Sequence, residues 1–380
     1  MRRLNIVHTS ITFTLVCILV SMLYFIKYDQ QITGFFRIGD VLPISPFLNQ
    51  SSIFINKGEV GYDGQQFLTI ALDPALNNIE SIRALDNPRY RYRRIMYPFL
   101  GYFIGFGNPE AVSYALVGIN VLCIVILVFL VSIFMMRDQE ATEKQKLQIP
   151  FLTLAVTGIW ISLFLSTADI LGTTLFLGGL VSLKGDNNPI AAISFGLACL
   201  TRETYLAVII MFLILNLLEK KWTNVIYNCA AMIPSLIWNF FVLIHLNAGT
   251  SGFKENIGFP FVGIIEKIKS IIFDGFVGKN FFEGFCFFTL LTASFLLLIS
   301  SLKNWNKSKY IYISAFPFIS LLALSKMQIL DYHANYLRVF MDIFVLNLLT
   351  ALESPFSIHK IGLLIISGIG SVAYALNYIS

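Results

Sequence analysis

The chain has 380 residues, 56 % hydrophobic and only 13 % charged, with a mean hydropathy of +0.73. Soluble domains carry roughly a quarter charged residues, so this composition excludes an ordinary soluble domain and points to the bilayer. The net charge of +5 is small and spread over short loops, which argues against nucleic acid as a partner.

A helix needs about 20 apolar residues to cross a hydrocarbon core about 30 Å thick. Met1, Arg2 and Arg3 precede an apolar run from Ile6 to Ile26. That run exceeds the roughly 7–15 residues of a secretory h-region, and no A-x-A site follows it. It is expected to be an uncleaved first span with its arginines in the cytoplasm. A long polar loop, 27–109, comes next. Within it Gln65–Leu72 and Met96–Phe106 are expected as short helices lying at the membrane interface, the second carrying Tyr97, Phe99, Tyr102, Phe103 and Phe106.

Further spans are expected at 110–136, 149–167, 170–183, 189–201, 205–218 and 225–246. A second large loop, 247–283, follows, and then spans at 284–302, 309–325, 335–352 and 360–378. The expected fold is an all-α polytopic membrane protein of about eleven transmembrane helices, read as a single domain over 1–380 with no internal repeat. Loops 27–109 and 247–283 are expected to pack into one subdomain.

From a cytoplasmic N-terminus, the inner loops receive Arg137, Lys144, Lys146, Lys184, Lys220, Lys221, Lys303, Lys307, Lys309 and Lys360. Basic inner loops are the rule for short cytoplasmic connections. The other face receives 27–109, 167–170, 202–204, 247–283 and 326–334. It also takes the run Arg89-Tyr90-Arg91-Tyr92-Arg93-Arg94, which long loops carry across regardless of charge. The expected location is the inner, or cell, membrane, with the functional face extracytoplasmic.

Cys17, Cys123, Cys199, Cys229 and Cys286 lie in apolar runs without CxxC spacing and are expected as buried thiols. The four histidines form no ligand pattern. Ionisable residues at membrane edges are costly and mark function, and here they gather on the outer side. Asp63 sits in Gly61-Tyr62-Asp63-Gly64-Gln65-Gln66-Phe67, between glycines that permit a sharp turn. Asp73 and Asp86 precede turn prolines and are expected as turn formers or helix caps.

Asp169 is either a cap of the following helix or a site residue. Arg202 and Glu203 either pair with each other or serve a site, and Arg338 either snorkels outward or points in. Lys326, Asp331, His333 and Glu255 are expected in solvent. A carboxylate on this face can take a proton from an acceptor hydroxyl. Arginines matched to phosphate geometry can hold an anionic headgroup and stabilise its departure.

The segments Gly61–Phe67, Ile70-Ala71-Leu72-Asp73-Pro74 and Asp86-Asn87-Pro88-Arg89-Tyr90-Arg91-Tyr92-Arg93-Arg94-Ile95-Met96-Tyr97-Pro98 resemble a bacterial group of GT-C membrane glycosyltransferases. That group carries a YDGQ first loop and an RYRxRI-x-YP segment, and is distantly similar to mannosyltransferases of glycosylphosphatidylinositol assembly. Ser166–Asp169, Thr201-Arg202-Glu203 and Arg338 fit its layout.

The resemblance implies an inverting transferase that takes a sugar from a polyprenyl-phosphate donor and adds it to a cell-surface glycan or lipid acceptor. Asp63 falls at its catalytic base. Tyr62, Gln65, Arg91, Arg93, Arg94, Asp169, Arg202, Glu203 and Arg338 are the candidate substrate-binding residues. No Asp-x-Asp motif is present, so no metal or other cofactor is expected. Two rival readings are a transporter or flippase of lipid-linked glycans, and a polymerase or ligase of the O-antigen type. The first would place its charges near the midplane on broken helices, often in repeated halves. The second would place its large functional loop later in the chain.

Overall fold

Asn-Pro steps recur along this chain, and each starts a helix. Asn87 accepts from the Tyr90 amide at 3.4 Å, Asn108 from Ala111 at 3.1 Å and Asn187 from Ile190 at 3.3 Å, with proline in the first or second helical position. The side chain satisfies an amide that has no intrahelical partner, and proline lacks the amide that would need one. The computed structural model describes residues 2–137, 141–246, 249–250, 252–275, 278–353 and 355–379.

The chain is all-α, 76 % helical, apart from a parallel two-residue pairing of β1 (Ile38–Gly39) with β2 (Ile55–Asn56). Helix α1 (Arg2–Met22) leads into the first loop. That loop contains α2 (Asp63–Leu72), α3 (Ile79–Arg83), α4 (Pro88–Tyr92) and α5 (Met96–Ile104). Then follow α6 (Pro109–Met136), α7 (Glu143–Gln148), α8 (Thr157–Phe164), α9 (Asp169–Lys184), α10 (Asn188–Thr201), α11 (Thr204–Leu218) and α12 (Trp222–His245). The remainder comprises α13 (Phe253–Asn256), α14 (Val262–Asp274), α15 (Lys279–Asn304), α16 (Lys309–Leu324), α17 (Met327–Leu330), α18 (His333–Val339), α19 (Met341–Leu349) and α20 (Ser357–Ile379).

Among the described residues, five helices are long and apolar enough to cross a membrane: Leu4–Lys27, Pro109–Met136, Trp222–His245, Lys279–Asn304 and Ser357–Ile379. A sixth span arises if Glu143–Ala155 and Thr157–Phe164, bent by 50° at their junction, are counted together. Shorter apolar helices (α10, α11 and α16) stand among them. The outer surface carries apolar stripes. Trp222, Ile226, Ile233, Ile237 and Phe240 are exposed on α12, and Ile358, Ile365, Ile369, Val372 and Leu376 on α20. Their spacings of three, four and seven keep each set on one helical face. Such stripes suit acyl chains and would be a liability in water.

Two expected spans are broken. The segment 149–167 runs as tight turns to Ala155, is extended at Val156, and only then becomes α8. Trp160 Nε1 donates to the Leu154 carbonyl at 2.7 Å, satisfying a group that the break exposes. The segment 335–352 breaks at Phe340 between α18 and α19, which leaves Arg338 in the last turn of α18. A cation is favoured there by the helix dipole.

The helix expected at the interface over Gln65–Leu72 is not interfacial, because every residue of α2 from Gly64 to Leu72 is buried. Its polar side chains bond internally: Gln66 Oε1 accepts from the Asp86 amide at 3.1 Å and Thr69 donates to the Gln65 carbonyl at 2.9 Å. By contrast, α5 does present Phe99, Tyr102, Phe103 and Ile104 outward.

The first loop is fixed onto the end of α12. Ile70, Leu85, Tyr92 and Ile95 pack with Val242 and Leu246. Trp238 Nε1 donates to the Tyr92 carbonyl at 2.6 Å, and Arg89 donates to that of Leu246 at 2.7 and 3.1 Å. The second loop lies partly outside the described residues. Its segment from 252 to 275 packs on α15, α16 and α17, with Gly258 donating to Leu324 at the end of α16 at 2.8 Å and the Lys326 amide to Asn256 at 3.0 Å. It meets the first loop where Asn87 bonds Thr250.

Candidate functional site

The turn before α2 needs its glycines. Gly61 has φ +88°, a left-handed conformation that other residues rarely adopt, and a Cβ on Gly64 would stand 2.3 Å from the Leu165 carbonyl oxygen. The turn delivers Asp63 as the first residue of α2, where the positive end of the helix dipole favours a carboxylate.

Two arginines grip Asp63 from separate parts of the chain. Arg91 Nη1 donates to Oδ1 at 2.7 Å, and Arg338 Nη2 donates to Oδ2. Each arginine has a second anchor behind it. Arg91 Nε and Nη2 reach Asp86 at 2.8 and 2.6 Å, a two-pronged pair. Arg338 Nη1 donates to Asp169 Oδ2 at 2.8 Å and Nε to the Tyr62 hydroxyl at 3.1 Å. Tyr62 in turn donates to Asn335 at 2.6 Å. Arg202 closes the series, with Nη1 2.9 Å from Asp169 Oδ1. Charge therefore alternates from Asp86 through Arg91, Asp63, Arg338 and Asp169 to Arg202.

A cavity of about 370 Å³ opens on this series, lined by Asp63, Arg91, Arg93, Arg94, Arg202, Glu203, Thr204, Asn335 and Arg338, among others. Arg94 Nε donates to Glu203 Oε2 at 3.1 Å, and Arg94 Nη2 donates to the Tyr90 hydroxyl. Glu203 Oε1 and Thr204 Oγ1 are buried and have no hydrogen-bond partner among the described residues. Five arginines and two carboxylates face the cavity, a surplus of three positive charges. Asp86 and Asp169 behind them cut the surplus to one.

Burial raises the proton affinity of the Asp63 carboxylate, but Arg338, Arg91 and Arg94 outweigh it and hold the group well below the usual carboxylate range. Burial and Arg94 act on Glu203 in the same opposed way, with the same net direction. The Tyr62 phenol is pushed up to about 12, chiefly by burial.

No protein-family model, no curated protein and no solved structure matches this chain.

Of the ten residues singled out from the sequence, Asp63, Arg91, Arg93, Arg94, Arg202, Glu203 and Arg338 reach the cavity wall. Tyr62 and Asp169 stand behind it, where they position Arg338. Gln65 turns elsewhere, its Oε1 accepting from the Gly39 amide at 3.0 Å. The contacts choose between the alternatives open for single residues. Asp169 does not cap α9 but carries two arginines. Arg202 and Glu203 pair with Asp169 and Arg94, not with each other. Arg338 is 6 % exposed and points inward rather than snorkelling.

Asp73 does cap a turn, accepting from Asn77 and Asn78 amides at 3.0 and 2.8 Å. Asp86 does not, because its carboxylate is spent on Arg91. His333 is not a solvated loop residue either, since its Nδ1 lies 2.5 Å from Glu283. Asn335 and Thr204 were missed. The only signal for Asn335 is one amide at the edge of an apolar run, and for Thr204 its place beside Arg202-Glu203.

Among the described residues, no three His, Cys, Asp or Glu side chains come together as metal ligands. The geometry offers a water-accessible anion site with carboxylates in its wall. Such a site can bind a phosphate and accept a proton beside it.

Proposed function

We propose that this chain is an inverting glycosyltransferase of GT-C type that moves a sugar from a polyprenyl-phosphate donor to a surface glycan or lipid. In this reading its apolar segments form about eleven spans, and the cavity opens on the extracytoplasmic face of the cell membrane. The observation that carries the reading is the cavity at Asp63, where a carboxylate shares one wall with five arginines. The phosphodiester of a lipid-phosphate sugar bears one negative charge, which the excess of arginines over carboxylates in the cavity wall complements.

The arginines hold the phosphate and take up the charge that grows on it as the C1–O bond breaks. Asp63 takes the proton of the attacking hydroxyl, which approaches C1 from the opposite face, so the anomeric configuration inverts. Tyr62, Asp169 and Asp86 keep the arginine groups oriented.

Mass spectrometry of surface glycans from cells with and without the gene tests this reading. The expected result is loss of one sugar residue, or of everything attached beyond it. An unchanged glycan profile would sink the proposal.

A further inference from the structure

Resting Asp63 is poorly placed to act as a base, since each of its oxygens already accepts from an arginine. The two arginines are held unequally at front and back. Arg91 binds Asp86 through Nε and Nη2 and touches Asp63 only through Nη1. Arg338 binds Tyr62 and Asp169 through Nε and Nη1 and touches Asp63 only through Nη2. Either guanidinium can exchange its front partner while its rear bonds keep it in place. Asp169 and Asp86 therefore remain as counter-charges to Arg338 and Arg91 when the front partner changes.

We propose that the donor's phosphate takes over the front hydrogen bonds of Arg338 and Arg91 from Asp63, so that donor binding itself creates the base. This rests on the transferase reading above and adds an order to it: phosphate first, proton transfer second. The phosphate oxygens accept from Nη2 of Arg338 and Nη1 of Arg91, with Arg94 as a further cation on the wall. Asp63 then has freed lone pairs and an anion beside it, and both changes raise its affinity for a proton. The acceptor O–H proton passes to the Asp63 carboxylate as the hydroxyl oxygen bonds C1 of the sugar. The C1–O bond electrons leave on the phosphate, giving lipid phosphate and a neutral Asp63. Without a phosphate the carboxylate stays gripped, and a stray hydroxyl is not activated.

If carboxylate and phosphate compete for the same two guanidinium edges, removing the carboxylate charge must tighten phosphate binding. The test measures binding of undecaprenyl phosphate, with undecaprenol as the uncharged control, to the full chain in nanodiscs. Wild type is compared with Asp63→Asn, with Asp63→Ser in case the first variant folds poorly, and with Glu203→Gln. The last variant removes a charge from the same wall without touching the grip on Asp63. Both Asp63 variants are expected to bind the phosphate lipid on the order of tenfold more tightly than wild type, with a clearly smaller gain for Glu203→Gln.

Equal or weaker binding by the Asp63 variants would overturn the exchange, and so would an equal gain in Glu203→Gln. In either case wild-type binding of undecaprenyl phosphate leaves the transferase reading standing. Wild type binding the phosphate lipid no better than undecaprenol would overturn both.

Discussion

Two buried charge networks stand near one another in this molecule, and they are built to different ends. In one, Glu283 is saturated. Its Oε1 accepts from the His333 amide at 3.0 Å and from Nδ1 at 2.5 Å, while Oε2 accepts from Lys267 at 3.3 Å and Tyr336 at 3.1 Å. Lys267 also donates to the Asp331 carbonyl at 2.5 Å. None of these four side chains reaches the cavity at Asp63. The network ties the start of α18 to α14 and α15. In the other, around Asp63, the same kinds of group face an open wall, and two arginines keep one hand on a rear anchor. Buried ion pairs alone do not mark a site. A cavity, together with contacts that can be traded without collapse, does.

Substitutions that separate the two networks sharpen this contrast. The largest structural effect is expected from Arg338→Gln, which takes one of two arginine partners from each of the buried carboxylates Asp63 and Asp169 and leaves them Arg91 and Arg202. Unfolding should be easier by about 3 kcal/mol, read as a lowered thermal midpoint, and transfer should be lost. Glu283→Gln should cost about 1–3 kcal/mol through its weakened bonds to His333, Lys267 and Tyr336. Transfer per folded molecule should stay within a few-fold of wild type. If Glu283→Gln abolished transfer in folded protein, the division between knot and site would be wrong.

Acid gives a smaller and graded effect. The folded chain holds Asp63 and Glu203 below their usual range, so the unfolded chain takes up those protons first as pH falls. Their contribution is complete above the unfolded values near pH 4 and is lost as pH drops from there toward the depressed folded values. Thermal midpoints measured from pH 6 to pH 3 should fall in that direction, and Asp63→Asn should flatten the curve. A midpoint that rises on acidification would contradict the direction of both shifts.

Much of this was legible in the chain itself. Apolar length located the helices from 109 to 136 and from 357 to 379, because spanning a bilayer demands a long uninterrupted run. The flanking glycines singled out Asp63, and the cost of charge at membrane edges singled out Arg202, Glu203 and Arg338. What stayed hidden was pairing over long separations. Arg338 meets Asp63 across 275 positions, and His333 meets Glu283 across 50. Local periodicity carries no mark of either partner. Asp86 was masked for a different reason: an Asp before Asn-Pro has the composition of a turn, and Asn87 alone does the capping. Likewise α2 carries polar residues that suit an interfacial helix, yet Gln65 Oε1, Gln66 Oε1 and the Thr69 hydroxyl all make internal hydrogen bonds within the core.

The proposed transfer of a sugar from a lipid phosphate at the Asp63 cavity can be assayed in membranes. The most direct measurement is transfer of labelled sugar from polyprenyl-phosphate donors by membranes containing wild type or Asp63→Asn. Transfer by wild type and a loss of about 100-fold or more in folded Asp63→Asn are the expected results. Undiminished transfer by the variant would contradict the proposal.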